Sequence, residues 1–213
     1  DTKQAQFTYS QSAEMIWFVA LPSSVALCLI PLPIVSALFE HGETTRQDAL
    51  AISSATAIYG VGLPAFMIQK LLQPLYFARE DTKTPLRFAL VSMLLNAILA
   101  IGLLPIVGWI AVAIAASVSA WVTTILLWIS SKRFGQAAHV LKTSISRIRG
   151  AFLGSLAMGI ILWAVNQNFY VSMETSSERV FFAFGLICLG ATTYLVVVFV
   201  LKAFPRNLEK VYE

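Results

Sequence analysis

Six long apolar stretches most strongly constrain how this chain can fold. An α-helix rises about 1.5 Å per residue, so about 20 apolar residues cross the roughly 30 Å hydrocarbon core of a bilayer. Only 12% of the residues are charged, whereas soluble domains are about a quarter charged. We therefore predict an all-α membrane protein with six transmembrane helices. The predicted spans are Glu14–Phe39, Ala49–Phe77, Pro85–Leu104, Ile106–Ser130, Gly150–Val165 and Val180–Leu201.

The basic residues fall mainly on one side of this arrangement. If successive helices alternate in direction, twelve of the fifteen lysines and arginines lie on the side that holds both chain ends. Arg46 and Arg179 lie on the other side, and Lys70 lies within the second predicted helix. Because basic loops stay in the cytoplasm, both ends of the chain are predicted to be cytoplasmic. This distribution explains the net charge of +4 without a nucleic-acid partner.

The segment 131–149 joins the fourth and fifth predicted helices. Its apolar residues recur at helical spacing, and its basic residues take the other faces. We predict a basic amphipathic helix on the inner leaflet, attracted to anionic membrane lipids; a solvated linker is the alternative. The chain then divides into four transmembrane helices over 1–130, the interfacial linker over 131–149, and two further helices with a cytoplasmic tail over 150–213.

Proline and glycine residues are expected to interrupt the first two helices. An interior proline frees the carbonyl four residues earlier and bends the helix, which a membrane protein tolerates where neighbours or water satisfy that carbonyl. Bent helices are typical of transporters that change shape. In the fourth helix, small residues recur every four positions and predict close helix packing. The interrupting residues are Pro22, Pro31 and Pro33 in the first helix, and Gly60, Gly62, Pro64 and Pro74 in the second.

Three polar residues at predicted membrane depth are candidates for contact with a transported substrate: Lys70, Gln73 and Asn96. With Gln69 and Gln73, Lys70 is predicted to form a polar patch that faces a central cavity. The alternative is that its side chain extends to the membrane surface. Asn96 is predicted to form an interhelical hydrogen bond or to contact the substrate.

The loop after the second helix contains charges of alternating sign. This alternation favours a charge network, which we predict helps to close a cytoplasmic gate; the alternative is a loop that only marks the inside. Thr84 is predicted to cap the third helix, with Pro85 in its first position. The charged residues are Arg79, Glu80, Asp81, Lys83 and Arg87.

No metal site, cofactor or enzymatic reaction is predicted. Cys28 and Cys188 fall in apolar runs, and His41 and His139 fall in loops without a partner at ligand spacing. The sequence also lacks a recognisable combination of nucleophile, base and acid.

Three motifs resemble those of the MviN/MurJ family of bacterial lipid II flippases. They are ALPSSVAL in the first helix, LFEHGETTRQDA after it, and GLPAFMIQKLLQPLYFAREDTKTP across the second helix and its loop. The resemblance implies a MOP-superfamily, MATE-like fold of two lobes with about fourteen helices, of which this chain would supply the last six. We expect the chain, which begins at Asp1 without Met, to be a processed chain or a piece of a longer protein.

The resemblance also implies a function. The chain would be part of a transporter in the bacterial inner membrane that moves lipid II, the undecaprenyl-pyrophosphate-linked peptidoglycan precursor, to the outer leaflet by alternating access for cell wall biosynthesis. Its partners would be lipid II and the missing amino-terminal helices, on the same protein or a partner chain. Lys70 would then pair with the pyrophosphate or with a carboxylate on a missing helix, and the last two helices would contribute to a groove for the lipid tail. The chain departs from the family at two positions. The family commonly has Asn where Thr123 stands. Family members with a sodium site are expected to have an acid where this chain has Ala100, so no sodium site is expected.

Three alternatives stay open. A related MOP-type exporter of another lipid-linked saccharide or a drug is disfavoured by the AREDTKTP pattern. A non-transporting membrane scaffold would need neither the prolines nor Lys70. An integral-membrane enzyme would need a catalytic arrangement.

Overall fold

The computed structural model describes residues 2–40, 44–138, 140–169 and 176–205. Six segments of this part of the chain are long and apolar enough to cross a membrane, which confirms the predicted number. The helices are α1 (Thr2–Leu29), α2 (Pro31–Phe39), α3 (Arg46–Phe77), α4 (Lys83–Val107), α5 (Ile110–Ser131), α6 (Lys142–Phe169) and α7 (Ser176–Val200), with a 3₁₀ segment, Lys132–Ala138, before α6.

The first span starts earlier than predicted, ends at Phe39 as predicted, and is interrupted before Pro31 as predicted. α1 begins at Thr2, so the polar lead is helical and not a loop. The helix breaks at Ile30, which has φ −124° and ψ 41°, because the residue before a proline is disfavoured in the helical conformation. The predicted interruptions at Pro22 and in the second span are wrong: α1 continues through Pro22, and α3 continues through both of its prolines.

Hydroxyl groups on neighbouring helices explain how the chain tolerates two of these prolines. Pro64 leaves the carbonyl of Gly60 without its helical donor, and Ser24 donates to that carbonyl at 2.7 Å. Pro22 does the same to the carbonyl of Phe18, and the Tyr194 hydroxyl donates to it at 2.7 Å. These bonds tie α1 to α3 and to α7.

Small residues of α5 pack closely against another helix, as predicted, and that helix is α3. Ala111, Ala115 and Ala120 are buried on α5. The Thr124 hydroxyl donates to the carbonyl of Ala65 at 2.9 Å. The helices approach so closely that a Cβ on Gly62 would lie 2.7 Å from the Ser117 hydroxyl oxygen.

The linker 131–149 is not one amphipathic helix. A 3₁₀ segment covers its first half, with Gly135 at φ 63°, and α6 already begins at Lys142. Phe134 and Ile148 pack against a core cluster shared by α1, α3 and α5. Its position at the inner leaflet stays a prediction.

Candidate transport site

A groove with a polar lining runs between the first half of α1 and the second half of α3; we call it the lysine groove. Its volume is about 610 Å³. Residues four apart share one face of a helix, and α1 contributes polar residues at that spacing. The polar residues of the lining are Gln4, Thr8, Tyr9, Ser12, Lys70 and Arg79.

Lys70 is exposed in this groove, close to a proline that frees its own carbonyl. Pro74 stands four residues later and also lines the groove, so the Lys70 carbonyl lacks its helical donor. In the described part of the chain no side chain donates to that carbonyl, in contrast to the carbonyls of Phe18 and Gly60. The Lys70 side chain and a carbonyl without a side-chain donor in the described ranges therefore belong to the same residue.

Gln73 and Asn96 lie in a different groove, which we call the amide groove. Its volume is about 470 Å³, and Gln69, Ser92 and Thr123 also line it. Lys70 lines the lysine groove, whereas both glutamines line the amide groove. Around the axis of α3, residue 70 is rotated by about 100° from residue 69 and by about 60° from residue 73. A polar patch shared by the three side chains stays a prediction.

In the amide groove, the side chains of Gln69 and Asn96 differ in their hydrogen bonding. The Gln69 amide donates to the carbonyl of Ala120 at 2.8 Å and to the Thr124 hydroxyl at 3.3 Å. Asn96 is half-buried and makes no side-chain hydrogen bond within the described ranges. The predicted interhelical bond of Asn96 is therefore not formed within this part of the chain.

The charged loop forms a compact network around Asp81. Its carboxylate forms an ion pair with Arg133 and accepts a hydrogen bond from the Thr84 N–H at 3.0 Å. The bonds from Thr84, and then the Arg133 guanidinium, hold the pKa of Asp81 below its ordinary value. α4 begins at Lys83, so the prediction that Thr84 caps this helix is wrong, and Asp81 satisfies one N–H of its first turn, that of Thr84.

Aromatic rings extend this network. The Arg133 guanidinium lies 4.9 Å from the ring centre of Phe134, and the Arg79 guanidinium lies 4.3 Å from the same ring. The Tyr76 hydroxyl donates to the carbonyl of Leu127 at 2.6 Å. The α3–α4 turn is thereby joined to the end of α5 and to the 3₁₀ segment.

The other loop charges stand outside this network. Glu80, Lys83 and Arg87 form no ion pair with any described residue. Gating by the loop stays a prediction.

Sequence reasoning missed two ion-pair sites. Glu14 is almost completely buried in α1 and lies 3.0 Å from Arg147 of α6. At the other end of the helices, Glu40 pairs with Arg46 at 3.0 Å and with Arg179 of α7. The only sequence signal for the Glu14–Arg147 pair was an acidic residue within the first apolar stretch. The Glu40 site contains Arg46 and Arg179, the two loop arginines that were predicted to lie on the outer side.

Potential metal ligands do not cluster in the described residues, where no group of three or more His, Cys, Asp or Glu side chains occurs. His41 and His139 lie outside the described residues.

The family model described as lipid II flippase MurJ matches residues 1–199. This chain belongs to the MurJ family. A probable lipid II flippase MurJ of Vibrio cholerae is 30% identical over 206 residues, which cover 97% of this chain and 39% of that relative. The corresponding protein of Rhizobium tropici is 34% identical over 163 residues, which cover 76% of this chain and 30% of the relative.

A solved structure agrees with this family assignment. The chain superimposes on a lipid II flippase MurJ in an inward closed conformation with a TM-score of 0.77 and 26% identity, covering 94% of this chain and 40% of that structure. The fold is therefore that of a MOP-superfamily flippase. The chain spans less than half the length of the curated relatives it matches.

Proposed function

We propose that this chain is the carboxy-terminal part of a transporter that moves lipid II from the inner to the outer leaflet by alternating access. The observation that carries the proposal is the lysine groove, in a chain whose relatives are named as lipid II flippases. The role is transport, and the groove needs no bond-making chemistry to perform it.

Lys70 is the residue that would recognise the substrate. A charged residue in a transmembrane helix costs about 2.5–3.5 kcal/mol on insertion scales, so such residues generally mark a pathway or pair with another group. A compact ammonium pairs well with a pyrophosphate. The Lys70 carbonyl, freed by Pro74, would accept a hydrogen bond from the substrate or from water at the same point.

The remaining helices of the family's fold would complete the cavity. They would lie on the same protein or on a partner chain, and would cover polar groups such as Asn96 that have no partner in the described residues. We place the protein in the bacterial inner membrane, with the basic loops and both ends of this chain in the cytoplasm.

Substitution of Lys70 in the complete flippase tests the proposal. In cells depleted of their own flippase, Lys70→Ala and Lys70→Leu should fail to restore growth, and Lys70→Arg should restore part of it. Lys132→Ala is the matched control, since Lys132 is an exposed lysine outside both grooves. Full rescue by Lys70→Leu at normal expression would mean that the side chain only extends to the membrane surface.

A further inference from the structure

The seam between α1 and α6 is an apolar furrow on the outside of the helices. Two cavities of about 500 Å³ and 400 Å³ follow one another along it. Trp17 and Phe152 line the first, and Ile160 and Trp163 line the second. From residue 149 to residue 163 the furrow extends about 21 Å along α6, which is most of the hydrocarbon thickness of a membrane.

Arg149 lies at one end of this furrow. It lines the first cavity, is exposed, and forms no ion pair in the described part of the chain. Its neighbour Arg147 is bound to Glu14. The charge of Arg149 is therefore available to a ligand at the entrance of an otherwise apolar surface.

Further basic residues lie at the same corner. Lys142 precedes Arg149 by seven residues, which places it on the same face of α6. Lys202 is exposed and precedes Ala203. Ala203 packs closely on Gly150, the residue after Arg149: a Cβ added to Gly150 would lie 2.3 Å from the Ala203 Cβ.

We propose that this furrow binds an anionic glycerophospholipid, with its phosphate on Arg149 and an acyl chain along Phe152 and Ile160. Basic residues at the membrane surface attract anionic lipid head groups, and an apolar furrow accepts an acyl chain without burying a polar group. We assign a resident lipid to the furrow, separate from the transported one, since the furrow and the lysine groove are lined by different residues of α1; the test therefore uses vesicles without lipid II. The inference relies on the proposed cytoplasmic position of Arg149.

Trp17 provides a probe for the bound lipid. The complete protein is reconstituted in vesicles that contain phosphatidylcholine and either brominated phosphatidylglycerol or brominated phosphatidylcholine, and quenching by the bromine is measured. The signal of Trp17 is the difference from a Trp17→Phe variant. One interfacial cation contributes about a fivefold preference for anionic lipid, so phosphatidylglycerol should be preferred at least about fivefold at Trp17, and Arg149→Gln should lower that preference about fivefold.

Arg87→Gln is the matched control, because Arg87 is an exposed arginine near the start of α4 and does not line the furrow. It should leave the preference at Trp17 unchanged. Three results would overturn the proposal: equal quenching by both lipids, an equal loss in the Arg87 variant, or no quenching of Trp17, which would mean that another helix covers the furrow. None of them would bear on the Lys70 proposal.

Discussion

Pro22 and Pro64 differ from Pro74, at the lysine groove, in whether the carbonyl that each leaves without a helical donor is bonded to another helix. The carbonyls of Phe18 and Gly60, which Pro22 and Pro64 deprive of a donor, are both satisfied by hydroxyls of other helices. The carbonyl of Lys70 has no such donor among the described residues. Proline therefore accompanies helix packing at two places, and at the third it leaves a carbonyl that we propose binds the substrate or water.

The Ser24 bond to Gly60 gives a stability prediction. Ser24→Ala should lower the free energy of unfolding by about 1–3 kcal/mol, because it leaves a buried carbonyl without a donor. Ser23→Ala should have little effect, since among the described residues Ser23 is bonded only to the carbonyl of Val19 in its own helix. Thermal unfolding of the purified protein in detergent measures both. Equal losses in the two variants would show that the bond to Gly60 adds no stability.

Glu40 gives a pH prediction. Partial burial raises its pKa, but hydrogen bonds from Ser36, Arg46 and Arg179 outweigh this and leave the pKa below its ordinary value. A lowered pKa means that the carboxylate stabilises the fold above its ordinary pKa of about 4.3 and loses this contribution as the pH falls through the lowered value. The melting temperature of a Glu40→Gln variant should be below that of the wild type at neutral pH and approach it in acid. A constant difference at all pH values would contradict the assignment.

Substitution of Asp81 tests whether the charged loop helps to close a cytoplasmic gate or only marks the inner side of the membrane. Asp81→Lys should reduce transport by the complete protein without changing expression or topology, because it breaks the ion pair with Arg133 and the bond to Thr84. Glu80→Lys is the matched control, since Glu80 forms no ion pair with a described residue. Full activity of the Asp81 variant in a growth-rescue assay would leave the loop as a topological signal only.

At the scale of helices, the Glu14–Arg147 pair fixes α6 against α1. Removing one partner of a buried pair costs about 3–5 kcal/mol, whereas replacing both with apolar residues is often neutral. Arg147→Leu should therefore lower the melting temperature, and the double variant Glu14→Leu with Arg147→Leu should recover most of it. Lys142→Leu, an exposed position on the same helix, should change little. A double variant as unstable as the single one would show that the pair itself is not the cause.

The helices could be predicted where the sequence pattern that specifies them involves residues close together in the chain. Apolar length identified all six spans, and four-residue spacing identified the packing face of α5. The helical start of α1 was missed because its polar residues indicate a loop, although they line the lysine groove. The Glu14–Arg147 pair joins residues 133 positions apart, and no local pattern reports such a distance.

At the scale of the whole molecule, the arrangement in the membrane is testable. Ser131 is buried, so reporter cysteines are better placed at exposed Lys132 and Ser177, in a variant without Cys28 and Cys188. From the distribution of basic residues, Lys132→Cys should react with a membrane-impermeant reagent only after the cells are opened. Ser177→Cys should react in intact cells. Labelling of both from the same side would contradict the topology.

The chain should not act alone. It corresponds to less than half of its relatives, and neither of its two grooves is an enclosed cavity. Expressed by itself in cells depleted of their flippase, it should not restore growth, whereas the complete protein should. Rescue by the chain alone would mean that other helices are dispensable or that copies of the chain assemble into a full cavity.

Movement of lipid II across a vesicle membrane tests the central claim most directly. The complete protein is reconstituted with labelled lipid II, and the labelled lipid that reaches the opposite leaflet is measured by its access to an added enzyme. Loss of a hydrogen bond to a charged group costs about 1.5–3 kcal/mol, so Lys70→Leu should slow transport by about tenfold or more, and Lys132→Ala should not. Transport by Lys70→Leu at the wild-type rate, or no transport by the wild type, would contradict the account.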